Sequence, residues 1–196
     1  SKADPIVDRI LKKPAAERLK LLRDSSHPQA QFVWAILRDA FHYAAVHLGA
    51  VANSARDVDF AMRWGFGVKQ GPFELWQQAG WKELGQWIKG EIEAGNALCK
   101  APLPDWVFDG REGVHTAEGS WNPTQQQYQP LSALPVHQSQ FFRENVAGAS
   151  VLDPASAGKT VHEDASMRLW TLDDEVLIAS IKTKVHAIDQ GVIEGL

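Results

Sequence analysis

The run Gly65-Phe66-Gly67-Val68-Lys69-Gln70-Gly71 is the first place where residue types suggest chemistry. Glycine-rich loops expose backbone N–H groups that can cradle phosphate. A dinucleotide fingerprint, however, needs a strand before it and tighter glycine spacing. The residues before Gly65 read as helix, so these glycines are expected to let two helices turn sharply. Gly158-Lys159-Thr160 matches the end of a P-loop. The first glycine of that motif would fall at Asp153, Pro154 follows, and no apolar strand precedes. Nucleoside triphosphate binding is therefore not expected. The histidines are His27, His42, His47, His115, His137, His162 and His186. His42 and His47 are not spaced to share a helix face as a zinc pair would. Solvated or capping histidines are expected, and no metal site. Cys99 beside Lys100 lacks an identifiable base and is assigned no nucleophilic role.

The chain has 196 residues, ordinary apolar and charged fractions, and a formal net charge of −4. That charge gives no general attraction to nucleic acid or anionic lipid. A single cysteine rules out an internal disulfide and fits a reducing, cytoplasmic setting. No apolar run approaches the roughly 20 residues of a membrane helix. The first residue is not Met, which suggests a trimmed or internal start. Of eight tryptophans, Trp34, Trp64, Trp76, Trp81 and Trp87 fall in the first half. They suit a Trp-rich core or a surface that packs on other domains.

Residues 1–98 read as helices with clear punctuation. Asp4-Pro5 offers an N-cap, Pro14 opens a second helix, and Ser26-His27-Pro28 begins a third. Val33, Leu37, Phe41, Ala44 and Leu48 form one face of that third helix, with Arg38, Asp39 and His42 on the other side. Gly49 marks its expected end. Ser54-Ala55-Arg56-Asp57 resembles a capping box for a helix ending at Gly65. Gly71-Pro72 opens another helix with Glu74 in its first turn, and Gly80 closes it. A last helix runs through Leu84, Trp87, Ile88 and Ile92. Residues 99–160 read as an irregular connector, in which Asp109-Gly110 could turn a short hairpin. In residues 161–196, Met167–Trp170 and Val176–Ile181 read as two paired strands, and Val192–Leu196 as the opening of a helix. A lone hairpin is marginal in water, so this last part looks like a domain cut off soon after it begins.

One stretch carries a resemblance. Asp57-Val58-Asp59-Phe60-Ala61-Met62-Arg63-Trp64-Gly65-Phe66-Gly67, then Gly71-Pro72-Phe73-Glu74-Leu75 and Gly80, resembles the C-terminal helical domain of 3-hydroxyacyl-CoA dehydrogenases. That family's run is Asp, two residues, Met, two residues, Gly-x-Gly-x-Pro-x-Gly-Pro-Phe, then Leu-x-Asp and a later Gly. The likeness covers about residues 28–95. Asp59, Met62, Gly65, Gly67, Gly71, Pro72, Phe73 and Gly80 are its structural residues. Lys69 stands where the family has Pro, and Gln77 where it has Asp. Trp34 stands where the active repeat has an Asn near the substrate. The family's catalytic His and Glu lie in a preceding dinucleotide-binding domain. The resemblance therefore implies a second, non-catalytic copy of the helical repeat, with no catalytic residue and no cofactor of its own.

Residues Val185 to Leu196 are similar to the first strand-to-helix junction of the crotonase family of enoyl-CoA hydratases. Leu103-Pro104-Asp105-Trp106-Val107-Phe108-Asp109-Gly110 fits the connector of fused proteins that carry both activities. Lys184 stands near where crotonases place a basic group against the CoA nucleotide. The expected fold is mainly α, a helical bundle followed by a connector and a short β-hairpin. The implied protein is a bifunctional fatty-acid β-oxidation enzyme that uses NAD and acyl-CoA substrates. Its partners would be the flanking dinucleotide-binding and hydratase domains, with a second copy in a homodimer as a further candidate. Two rivals are a stand-alone helical protein-interaction module and an acyl-CoA-binding domain with an apolar cleft.

Overall fold

The computed structural model describes residues 4–138, 146 and 157–195. Nearly half the chain is helical, and two small antiparallel sheets complete the regular elements. The chain divides into two compact units. The first holds residues up to 134 together with Val146, and the second holds 135–138 and 157–195.

The first unit opens with α1 (Pro5–Leu11), whose Ile6 N–H is capped by the Asp4 carboxylate at 2.9 Å. α2 (Ala15–Asp24) follows Pro14 and buries Leu19 and Leu22. α3 (Pro28–Val51) begins under a histidine cap, the Gln29 N–H donating to His27 Nδ1 at 3.2 Å. It runs two residues past Gly49. At the head of α4 (Ala55–Phe66), the Asp57 carboxylate accepts from the Ser54 N–H and hydroxyl at 3.0 and 2.9 Å. This helix continues past Gly65 and ends at Gly67, which is left-handed at φ 66°. α5 (Pro72–Glu93) is interrupted at Gly80, with φ 110° and ψ 93°. Helices end where backbone donors and acceptors must find other partners. Here the Trp76 Nε1–H donates to the Trp81 carbonyl across the break at 3.0 Å, and the two rings stack with centroids 4.4 Å apart.

The core of this unit is aromatic. Trp34, Phe41, Phe73, Trp76, Trp81, Leu84 and Ile88 are buried together, and Val107, Val114 and Trp121 join the same cluster. Each large side chain so buried contributes about 1.5–3 kcal/mol relative to exposure. Trp34 packs edge-on to Trp87 at 6.3 Å. Trp34 is thus a core residue.

Arg38 and His42 were expected on the outer side of α3, and both are buried, 5% and 1% exposed. The segment after α5 folds back over that side. Arg38 donates to Glu91 at 3.0 Å and to the Asn96 carbonyl at 2.7 Å, and His42 Nε2 meets the Ala101 carbonyl at 2.7 Å. Periodicity separates two faces of a helix but does not tell which of them later chain will cover. Once covered, each polar group needs a partner, and both have one.

The residues from 119 onward, which read as irregular connector, instead carry strands. β1 (His115–Thr116), β2 (Gly119–Asn122) and β3 (Gln127–Gln129) form an antiparallel sheet in that order. Gln, Ser and Pro hide the pattern, because only Ser120, Trp121 and Asn122 of β2 face buried surroundings. The hairpin expected at Asp109-Gly110 does not form. Residues 105–107 make a single 3-10 turn, and the chain reverses between Thr116 and Gly119.

In the second unit, β5 (Met167–Thr171) is the central, fully buried strand between β4 (Lys159–Glu163) and β6 (Ile178–Ile181). The expected β5–β6 pairing is present, with Met167 opposite Ile181. β4 has no apolar alternation and was not foreseen. The Gly158-Lys159-Thr160 run enters this strand rather than a loop before a helix. α6 (Pro135–Gln138) belongs to this unit, and α7 (Gln190–Gly195) closes it, with Gly195 against Met167.

The break in α5 yields a test. Gly80→Ala places a Cβ on a backbone that L-residues rarely adopt, so it should destabilise the protein by about 1–3 kcal/mol in urea unfolding. An unchanged midpoint would show that the break is relaxed in solution.

Candidate functional site

Asp59 sits on α4 with a fully buried side chain. α5 begins beside it, at Gly71, whose N-cap position carries no side chain to satisfy the first helical N–H groups. Asp59 supplies the missing cap from another helix. Its Oδ1 accepts the Phe73 N–H at 2.9 Å and its Oδ2 the Glu74 N–H at 3.1 Å. Only glycine fits at residue 71, because a Cβ there would fall on the Asp59 carboxylate and Cα. Pro72 fixes φ at the first helical position, where no N–H is required. Glu74 completes the joint by accepting the Gly71 N–H at 3.0 Å and pairing with Arg63 Nε at 3.2 Å.

The sheet closes over this corner. His115 on β1 places Nε2 2.6 Å from Asp59 Oδ2 and Nδ1 2.8 Å from the Ser120 hydroxyl on β2. With Nε2–H donating to the carboxylate, a neutral imidazole accepts the serine proton at Nδ1. Burial pushes the Asp59 carboxyl above its usual range, while His115 and the Phe73 N–H pull it back. Gln77 on α5 holds the strand itself. Its Oε1 accepts the Val114 and His115 N–H groups, both at 2.9 Å, and its Nε2 donates to the His115 carbonyl at 2.9 Å. A carboxylate at this position could accept but not donate. Gln77 does both here.

Asp59, His115 and Ser120 have the connectivity of a nucleophilic triad. Their setting is that of a brace. Ser120 is 1% exposed, its hydroxyl is engaged, and both Asp59 oxygens already cap α5. A cavity of about 250 Å³ beside the sheet is lined by Ser120, Arg56, Thr116, Gly119 and Leu131, with Val146. Arg56 is tied there to the Gln129 and Pro130 carbonyls at 3.3 and 3.0 Å.

Of the residues singled out in the sequence, Asp59, Gly71, Pro72 and Phe73 come together at this corner. Met62 is half-buried on α4, and Gly65 and Gly67 lie exposed in and after its last turn. Gly80 serves the α5 break instead. Lys184 lies in the other unit, exposed on a single turn at 184–186. The Gly65–Gly71 run joins helix to helix, which does not fit a dinucleotide cradle. Among the described residues, no group of three or more His, Cys, Asp or Glu is placed to hold a metal ion. None of their helices is long and apolar enough to cross a membrane. His27 caps a helix as expected, but His42 and His115 are buried rather than solvated. His115 and Ser120 were not found as site residues from the sequence. They stand 56 residues apart in the one pairing and five in the other, with no motif to join them to Asp59.

The first unit is thus a helical domain whose α4–α5 corner is held by a small sheet. The chain is 31% identical over 111 residues to a probable 3-hydroxyacyl-CoA dehydrogenase of Bacillus subtilis (strain 168). That match covers 51% of this chain, and the chain spans 14% of that relative's length. The likeness supports a relation to the 3-hydroxyacyl-CoA dehydrogenases. No family model and no solved structure matches the chain.

Removing one partner of a buried pair leaves the other uncompensated, at about 3–5 kcal/mol. Asp59→Ala should therefore cost at least this much, since it also uncaps α5. Ser120→Ala removes one hydrogen bond and should cost about 0.5–1.5 kcal/mol. Denaturant titration of both variants checks the order; equal losses would contradict it.

Proposed function

We propose that this chain is the second, non-catalytic helical repeat of a longer protein of fatty-acid β-oxidation. In that protein a 3-hydroxyacyl-CoA dehydrogenase is joined to an enoyl-CoA hydratase, and residues 161–196 begin the hydratase-like part. NAD and the reacting acyl-CoA thioester are handled by flanking domains in the cytoplasm. This segment holds those domains in register. Lys184 is proposed as a contact for the CoA nucleotide in the hydratase part.

The observation that carries this reading is the α4–α5 corner. Four of the residues that resemble the dehydrogenase family, Asp59, Gly71, Pro72 and Phe73, are committed there to joining two helices. The acid among them has its oxygens occupied by two helix N–H groups and an imidazole. A carboxylate so engaged, away from solvent, is a structural cap rather than a general base awaiting substrate.

A second observation bears on what the scaffold packs against. Phe32, Ile36 and Tyr43 lie exposed on α3, Tyr43 with 62% of its surface. Large apolar side chains grouped on an exposed helix side mark an interaction surface. In the proposed protein the flanking domains, or a second copy, cover this side. The same feature favours the rival reading of a free-standing interaction module.

Purified chain incubated with NAD and a 3-hydroxyacyl-CoA, and separately with a 2-enoyl-CoA, should give no NADH and no hydration above background. Turnover that disappears in Asp59→Asn or Ser120→Ala would overturn the scaffold role. Light scattering with the flanking domains added in trans should show association with them. Absence of association, together with capture of an unrelated defined partner, would favour the interaction module.

A further inference from the structure

α3 spans 24 residues, a length of about 36 Å at helical rise. Trp34, Phe41, Ala45 and Leu48 of this helix face the core. The opposite side carries Phe32, Ile36, Ala40, Tyr43, Ala50 and Val51, all exposed, Phe32 at 66% and Ile36 at 53%. A helix side left to solvent normally carries charge. α3 has only Arg38 and Asp39 as acid and base, and they pair with each other at 3.0 Å. Leu98, 89% exposed, lies beside this pair, its N–H donating to Asp39 Oδ1 at 3.3 Å. The outer side of α3 is therefore apolar along its length. The Tyr43 ring leans on His47 with centroids 4.3 Å apart, and its hydroxyl bonds to none of the described residues.

The pattern on that side selects its partner. Phe32, Ile36, Asp39, Tyr43, Val46 and Ala50 follow one another at steps of 4, 3, 4, 3 and 4 residues. This is the seam spacing of paired helices, and it reads the same in both directions. A second α3 turned end for end, about a two-fold axis level with Phe41, sets Phe32 against the partner's Ala50. Ile36 meets the partner's Val46. The Tyr43 hydroxyl reaches the partner's Asp39 carboxylate, which can accept more than the bonds from Arg38. Large side chains thus meet small ones, and a hydroxyl meets an acid. A parallel copy would instead set Asp39 on Asp39 and Tyr43 on Tyr43.

We propose that α3 pairs antiparallel with α3 of a second copy of this chain, about a two-fold axis at Phe41. The pairing rests on the scaffold reading above, and chooses the second copy as what covers this side. A two-fold interface uses the same patch on both copies, so every contact occurs twice. One helix seam with Leu98 at its flank is smaller than the roughly 800 Å² per partner of a standard interface. A dissociation constant in the micromolar range follows.

Sedimentation velocity of the full chain over a micromolar to submillimolar series tests this. Monomer should give way to dimer as concentration rises. Ile36→Lys sets two cations into the seam and should raise the dissociation constant about tenfold or more. Lys is a good helix former at this exposed position, and unchanged circular dichroism reports that the variant is folded. Tyr43→Phe keeps the ring and loses two symmetric hydrogen bonds, so about fivefold weakening is expected. Direction is read by electron spin resonance, with Cys99 replaced by Ser and a nitroxide on Ala40→Cys or on Val51→Cys. Antiparallel pairing brings the Ala40→Cys labels together and leaves those on Val51→Cys about 30 Å apart. A monomer at every concentration would overturn the proposal, as would a dimer indifferent to Ile36→Lys and Tyr43→Phe, or equal distances for the two labels. So would a flanking domain that binds the monomeric chain and is lost with Ile36→Lys. Each of these outcomes leaves the turnover assay, and with it the non-catalytic reading, untouched.

Discussion

A carboxylate removed from water costs several kcal/mol unless its oxygens find donors. Asp59 meets that requirement with the Phe73 and Glu74 N–H groups and His115 Nε2. The donors come from two different needs. The two amides are orphans of a helix whose own N-cap is glycine, and the imidazole belongs to a sheet far along the chain. One buried group thereby joins α4, α5 and β1. The geometry leaves no tolerance at Gly71, where any side chain would occupy the space of the acid itself.

The remainder of the first unit follows from that joint. Gln77, one turn beyond the capped end of α5, holds the backbone of β1 with three hydrogen bonds. Val114 and Trp121 are thereby carried into the helical core, next to Trp81 and Trp106. Residues that would be reactive in an open cleft are used here as braces. A nucleophile must reach substrate, and Ser120 is 1% exposed, so the Ser-His-Asp connectivity argues for rigidity in this protein.

Much of the helical part was legible in the sequence because its signals are local. Asp4-Pro5, the Ser54–Asp57 cap, Gly71-Pro72 and the break at Gly80 each act within a few residues of where they stand. The pairing of β5 with β6 was legible from two apolar runs around Asp173-Asp174. The corner motif pointed to Asp59, Gly71, Pro72 and Phe73, but its meaning as a trans cap was not visible. That depends on His115 and Ser120, whose positions follow from long-range packing. The strands β2, β3 and β4 were hidden for the same reason. They are short and polar: β2 is held by what covers it, and exposed β4 by its pairing with β5. Arg38 and His42 were misplaced because the segment at 96–101 returns over α3, which no helical periodicity encodes.

The central claim is that the Asp59 cap is part of the cooperative core and not a local ornament. Native-state hydrogen exchange of the Phe73 and Glu74 amides measures this directly. The account predicts that both exchange only through global unfolding, with the same free energy and denaturant dependence as the amides around Phe41 and Leu48. Exchange of Phe73 and Glu74 through a low-energy local opening, while those of α3 stay protected, would contradict it.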